Sequence, residues 1–325
     1  MKYLKYKLDF PQGYHVSNFR LSDSNIKISA DVLFSAIVHE ANNMGGQEAV
    51  DKLVKLFNEN SLIISDLFPY IEDKLYIPKP YFITEREKED LDYKKKLNRL
   101  EFIEFNKIED WFRGKLILDG ECFNLKNEDI FMGKHRVSTK IKHSKDGQHD
   151  IYNVGSYKFN NDLSRGLYFV FGYKDMDDLF FFDDLMYSLS FSGLGGKRTS
   201  GLGRFNFTYD ELEKEYERLI NNKTNLNILL TTSIPKKTEL SAVLDSRASY
   251  KLIRKGGFIK PKKGENVIEN HRKKDIYFFD SGSTFEQTYL GDIYRVDNSY
   301  KHPIYRYGSS MFIGVEIWQT IITIN

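Results

Sequence analysis

Leu4, Tyr6, Leu8 and Phe10 alternate with Lys5, Lys7 and Asp9 at the start of the chain, a period of two that predicts a strand with one buried face. Pro11-Gln12-Gly13 ends it, and a polar loop containing His15 and Arg20 follows. The spacing then turns helical: Leu33, Phe34, Ile37, Val38 and Ala41 share a stripe, with Ser29 or Asp31 placed to cap the helix and Asn42 to Gly46 to close it. A second amphipathic segment over 47–60 carries Val50, Leu53, Val54 and Phe57, and 61–68 reads as a strand. Leu75 to Pro80 is extended, but prolines 78 and 80 argue against a central strand.

Glu85 to Arg113 mixes both signs of charge around Leu91, Leu97, Leu100 and Phe105, the pattern of an exposed helical insertion with a solvated face. A short strand is expected within 115–123. His135 to His143 alternates β-branched or hydroxyl residues with basic ones. Lys145 to Gln148 supplies an Asp-Gly turn, and 151–159 returns, so this stretch predicts a hairpin projecting from the body. Gly166 to Tyr173 is apolar throughout, as a buried central strand is. The aspartates after it suit the N-terminal dipole of a helix whose core positions are Phe182, Leu185, Met186 and Leu189. Residues 204–209 alternate as a strand, and 211–222 is a polar helix bridging to a β-rich second half. There, strands are expected over 226–234, 250–258, 276–279, 289–296 and 311–317, with a loop over 300–309. The pattern defines an α+β chain with two sheets, divided into 1–222 and 223–325, the first part interrupted by an insertion at about 85–160.

With 48 basic and 46 acidic residues among 325, the formal net charge of +2 does not announce a nucleic-acid partner. Its distribution does. Five Lys or Arg and no acid lie between Gly133 and Lys145, and nine lie between Lys251 and Lys274 against only Glu265 and Glu269. Asp175 to Asp184 holds five aspartates and no base. Such segregation suits a basic channel on a balanced body. The single cysteine, Cys122, excludes an internal disulfide and a cysteine-based zinc site. The first residues lack the apolar run of a signal peptide and no segment approaches a membrane span, so a cytoplasmic location without membrane contact is expected.

The candidate chemistry centres on Gly193 to Phe205, GLGGKRTSGLGRF, between the aspartate-led helix and the strand after it. Glycines permit left-handed turns and close backbone approach, and Lys197, Arg198, Thr199 and Ser200 among Gly195, Gly196 and Gly201 offer donors to phosphates. Arg204 follows the last glycine. A Walker A loop is excluded because Gly196-Lys197 is followed by Arg198 and the helix precedes the loop. A dinucleotide fingerprint is excluded because the third glycine position is Arg198.

This loop, the strand–loop–SADVLFSAI beginning, LYIPKP over 75–80 and RKGGF over 254–258 together resemble the RAMP superfamily of CRISPR RNA-binding proteins, and within it the fourth subunits of Csm complexes. The resemblance spans nearly the whole chain. It implies two tandem ferredoxin-like (RRM-like) domains with a projecting β-hairpin thumb, and a non-catalytic, cofactor-free, metal-free subunit. Such a subunit holds the repeat-derived 5′ tag of crRNA in a type III-A effector and bridges the large Palm-domain subunit to the backbone RAMP subunit. The residues then expected at RNA are the loop 195–201 with Arg204; Ser29, His15 and Arg20; His135, Arg136 and Lys140 on the thumb; and Tyr250, Arg254, Lys255, Gly256, Gly257 and Phe258, with Tyr307 a further stacking candidate. Some RAMP relatives cleave RNA with a histidine near the first loop, which makes a metal-independent, His15-dependent guide-processing endoribonuclease the alternative; a protein-only assembly scaffold is the third reading.

Overall fold

A computed structural model describes residues 1–17, 20–118, 134–143, 149–159, 164–245, 247–257, 273–297 and 303–316. In chain order the first half contains β1 (Lys2–Asp9), α1 (Ala30–Asn58), β2 (Leu62–Ile64), β3 (Phe68–Ile71), β4 (Lys74–Pro78), α2 (Glu85–Glu89), α3 (Leu91–Leu97), β5 (Phe102–Glu104) and α4 (Ile108–Phe112). It continues with β6 (Lys134–His143), β7 (His149–Lys158), β8 (Arg165–Tyr173), α5 (Met176–Ser192), β9 (Asn206–Glu211) and α6 (Lys214–Asn221). The second half contains β10 (Asn227–Leu229), α7 (Lys237–Asp245), β11 (Ala248–Ser249), β12 (Leu252–Lys255), β13 (Ile276–Phe279), β14 (Thr284–Phe285), β15 (Ile293–Asp297), β16 (Ile304–Tyr307) and β17 (Phe312–Gly314).

The main sheet is antiparallel in the order β5-β4-β3-β8-β1-β9, with β2 also paired to β8. β2 and β3 act as one strand broken at Ser65 to Leu67, where the Ser65 hydroxyl accepts from Val170 N–H at 2.9 Å and keeps β8 satisfied across the gap. Every residue of β8 is buried because both faces of the sheet are covered. On one face Leu4, Tyr6, Leu8, Leu167, Phe169 and Phe171 meet α1 and α5. On the other, Tyr168 and Val170 meet Trp111 and Leu97 of the insertion, Tyr216 and Leu219 of α6, and Ile228 and Ile313 of the second half.

That second core corrects the expectation of a solvated insertion and takes in the apolar side of the polar bridging helix. Their charges do face water, but Leu97, Leu100, Ile108, Trp111 and Tyr216 close the sheet's far face. β4 is also an internal strand, contrary to the proline argument. Lys74 and Leu75 pair with β3, while Tyr76 to Pro78 pair with β5, so the missing N–H of Pro78 falls at the strand's last residue. The region 115–118 is not a strand, and the rest of that expected strand lies outside the described residues. β16 stands where a loop was expected. The projecting hairpin is present as β6–β7, with Val137 and Ile151 exposed along it, Val154 buried near mid-strand, and Tyr157 and Phe159 buried at its root. In the second half a smaller sheet runs β11-β14-β10-β17.

Burial raises the phenol pKa of Tyr6, Tyr14, Tyr157, Tyr168, Tyr216, Tyr289 and Tyr307 above 10.0. Above pH 10 the unfolded chain releases these protons and the folded chain keeps them, so each such group removes about 1.4 kcal/mol of stability per pH unit. We therefore expect cooperative unfolding by circular dichroism within the first one or two units above pH ~10, with phenolate absorbance at about 295 nm rising in the same transition. Smooth titration of all tyrosines with structure intact would contradict this packing.

Candidate nucleic-acid interface

α5 ends at Gly193, whose N–H donates to Leu189 O at 2.7 Å, and the glycine loop then folds onto the first loop of the chain. Gly203 N–H donates to Gly13 O (2.9 Å), Leu194 N–H to Gly203 O (2.8 Å) and Gly196 N–H to His15 O (2.8 Å). Two glycines are obligatory for this approach. Gly195 has φ +94° and a Cβ there would lie 2.6 Å from His15 O; Gly203 has φ +86° and a Cβ would lie 2.2 Å from Leu194 O.

Lys197 itself adopts a left-handed φ of 56°, and its ammonium sits 4.7 Å from the ring centre of Tyr152 on β7, joining loop to hairpin. Arg198 turns back so that Nη1 donates to Gly193 O at 3.2 Å, supplying a cation at the C-terminal end of α5. Thr199, Ser200, Gly201 and Arg204 are exposed. His15 is buried, and its Nδ1–H donates to Gly155 O of β7 at 2.6 Å, which assigns the tautomer. Arg20 is exposed on the same loop.

The start of α1 is built differently from its sequence pattern. Ser29 occupies the N-cap position, yet its hydroxyl accepts from Lys255 Nζ at 2.8 Å, and the carboxylate that caps Ala30 N–H is Asp66 Oδ1 at 2.8 Å. Asp66 also accepts from Thr232 N–H (2.9 Å) and Thr232 Oγ1 (2.6 Å), and Lys27 Nζ lies 3.7 Å from its Oδ2. Lys27 reaches Asp280 and the Ser281 hydroxyl as well. Asp31 accepts from Arg306 Nη1 (2.6 Å) and Tyr307 N–H (3.1 Å), while Arg306 Nη2 donates to Gly256 O (2.6 Å). Three carboxylates and three cations thus tie α1 to both ends of the second half. Burial pushes the Lys255 ammonium pKa down, and Asp31 and Asp66 offset part of that.

Above this network lies a cleft of about 470 Å³, lined by His15, Gly195, Gly196, Arg198, Gly257 and Arg306 among others. It gathers the first loop, one wall of α1, the glycine loop and the end of the RKGGF segment. Arg306 is buried there and its Nε has no hydrogen-bond partner among the described residues. Ser29 and Lys255 support the floor; they do not line the cleft. Arg254 is exposed, 3.8 Å from Asp275, and Tyr250 packs edge-on to Phe279 with ring centres 4.9 Å apart, both away from the cleft lining. His135, Arg136 and Lys140 are on β6, Arg136 exposed. Phe258 lies outside the described residues. Tyr307 is no stacking platform: it is fully buried between Phe34 and Phe57, both ring centres 5.5 Å away.

Sequence reasoning missed Asn42, Asn43, Gln47, Lys273 and Arg306 at the cleft. The signal was the Asn42-Asn43 pair, two poor helix formers that do not end the helix. α1 continues through a kink at Gly46 (φ 64°) to Asn58.

The site is thus an antiparallel sheet backed by two helices, with a basic glycine loop closing a cleft against the first loop and a hairpin joined to that loop through Lys197 and Tyr152. A model of the CRISPR Csm4 C-terminal domain matches residues 222–315. The Csm4 protein of Streptococcus thermophilus is 31% identical over 98% of this chain and all of its own length, and that of Mycobacterium tuberculosis is 30% identical over 95% of this chain and 97% of its own. The chain belongs to the Csm4 family. Its fold is also that of two solved chains of low identity. One is in a Csm3–Csm4 subcomplex of the type III-A interference complex (TM-score 0.68, 18% identity) and one in a Csm1–Csm4 cassette with cA4 (TM-score 0.63, 20% identity); each match covers 98% of this chain and 100% of the other. Among the described residues no helix is long and apolar enough to cross a membrane.

Proposed function

We propose that this chain is the crRNA-binding subunit of a cytoplasmic type III-A CRISPR complex, holding the 5′ repeat-derived tag and bridging the large Palm-domain subunit to the backbone RAMP subunit. The observation that carries the reading is the convergence of His15, the glycine loop, Gly257 and Arg306 on one cleft. The Arg198 cation at the cleft and Lys197 beside it suit phosphates, and Arg306 Nε in the wall has no hydrogen-bond partner among the described residues. The hairpin, joined to the loop through Lys197 and Tyr152, is the thumb that separates tag from guide. The strand orders β3-β8-β1-β9 and β11-β14-β10-β17 follow one scheme, which supports tandem ferredoxin-like units, the second with β15–β16 in place of a second helix. A catalytic His15 is disfavoured because the ring is buried and one nitrogen is committed to Gly155 O.

The test is fluorescence anisotropy with tag RNA, a scrambled RNA of equal length and a salt series. Preference for the tag that persists as salt rises is expected. Equal binding that collapses with salt would leave only generic phosphate attraction. Defined cleavage of repeat RNA in chelator, lost in His15→Ala, would replace this reading with the endonuclease.

A further inference from the structure

α5 has three faces. Phe182, Leu185 and Leu189 are buried on the sheet. Ser188 and Ser192 donate to Glu40 of α1 at 2.7 and 2.6 Å, and Lys52 of α1 covers Phe181. The third face carries Met176, Phe180, Tyr187 and Phe191, 44%, 57%, 63% and 63% exposed, in one stripe at helical spacing. Tyr187 and Phe191 are already arranged edge to face at 5.1 Å, and Tyr209 of the edge strand β9, near Asp183, is exposed as well. Asp183 and Asp184 flank the stripe, Asp177 lies near its start, and α5 contains no Lys or Arg. None of these residues lines the cleft.

Aromatic and methionine side chains exposed together are the composition of a protein interface core. The aspartates decide what covers it. Phosphates are repelled, so RNA does not dock here. A second copy related by a two-fold axis would set the aspartate rows against each other, so self-association is disfavoured too. Charge complementarity leaves a different protein with an apolar centre and a basic rim. Accepting the function proposed above, the two protein partners are the backbone RAMP subunit, itself of an RNA-binding superfamily, and the large Palm-domain subunit. An RNA-repelling face suits the partner that is not an RNA-binding RAMP subunit. We propose that the outer face of α5 docks the large Palm-domain subunit through Phe180, Tyr187 and Phe191, with Asp183 and Asp184 meeting basic rim residues.

The experiment measures affinity of the full chain for the purified large subunit, the purified backbone subunit and tag RNA, for wild type, Phe180→Ser/Tyr187→Ser and Asp184→Lys. The double variant is expected to lose at least ~30-fold for the large subunit, as interface hot spots do, and to keep backbone and RNA binding and melting temperature. Asp184→Lys is expected to weaken the same contact about tenfold at low salt and less at high salt. Unchanged large-subunit affinity, no large-subunit binding by wild type, or a loss confined to the backbone subunit overturns the docking proposal. Failure of tag binding with α5 docking intact overturns the RNA reading and leaves this one standing.

Discussion

Asp66→Ala is expected to cost about 3–5 kcal/mol of folding stability, the range for removing one partner from a buried charged network. Asp66 is fully buried and accepts three hydrogen bonds, from Ala30 N–H, Thr232 N–H and the Thr232 hydroxyl. The alanine leaves those donors without an acceptor and removes a carboxylate facing Lys27. Asp66→Asn keeps an acceptor at Oδ1 and is expected to lose less. Thermal melts of both variants check this, with Asp66→Ala lower by on the order of 10 °C. Equal melting of Asp66→Ala and wild type would mean that the second half holds to α1 by apolar packing alone.

The second large effect is on RNA. Lys197→Ala with Arg198→Ala is expected to weaken tag binding by about 2–5 kcal/mol, each charged contact contributing roughly 1–3. The two residues differ in what else they do. Arg198 also bonds Gly193 O, so part of its effect comes from loosening the end of α5. Lys197 lies over Tyr152, so Tyr152→Leu is expected to have a smaller effect of the same sign. Anisotropy at fixed salt measures all three, and the salt slope should flatten in the double variant. Undiminished tag affinity in the double variant would remove the loop from the RNA path.

The sequence pattern revealed what depends on local periodicity. β1 alternates and one of its faces is the core; β8 is apolar throughout and is buried on both sides; the helix after the aspartates is α5. The glycine loop was recognisable because two of its glycines are demanded by backbone contacts that no other residue permits. What escaped was who covers the sheet's far face. Leu97 and Trp111 sit on separate short helices and Leu100 between elements, and their charged neighbours dominate any one-dimensional reading. The Asp31–Arg306 pair escaped for a different reason: its partners are distant in sequence and neither lies in a periodic pattern. Ser29 was placed correctly at the helix start, but its acceptor serves Lys255 because Asp66 has taken over the capping.

The position of β1 between β8 and β9 has a temporal side. Lys2 to Asp9 is synthesised well before its partners, because both of its hydrogen-bonding edges are completed only by residues 165–173 and 206–211. At about 5–20 residues per second, those partners arrive roughly 10–40 s later. Until then a strand bearing Leu4, Tyr6, Leu8 and Phe10 waits with unpaired backbone and uncovered aromatic surface. A strand made early is among the last to be satisfied, so refolding from denaturant is expected to be slow and concentration-sensitive.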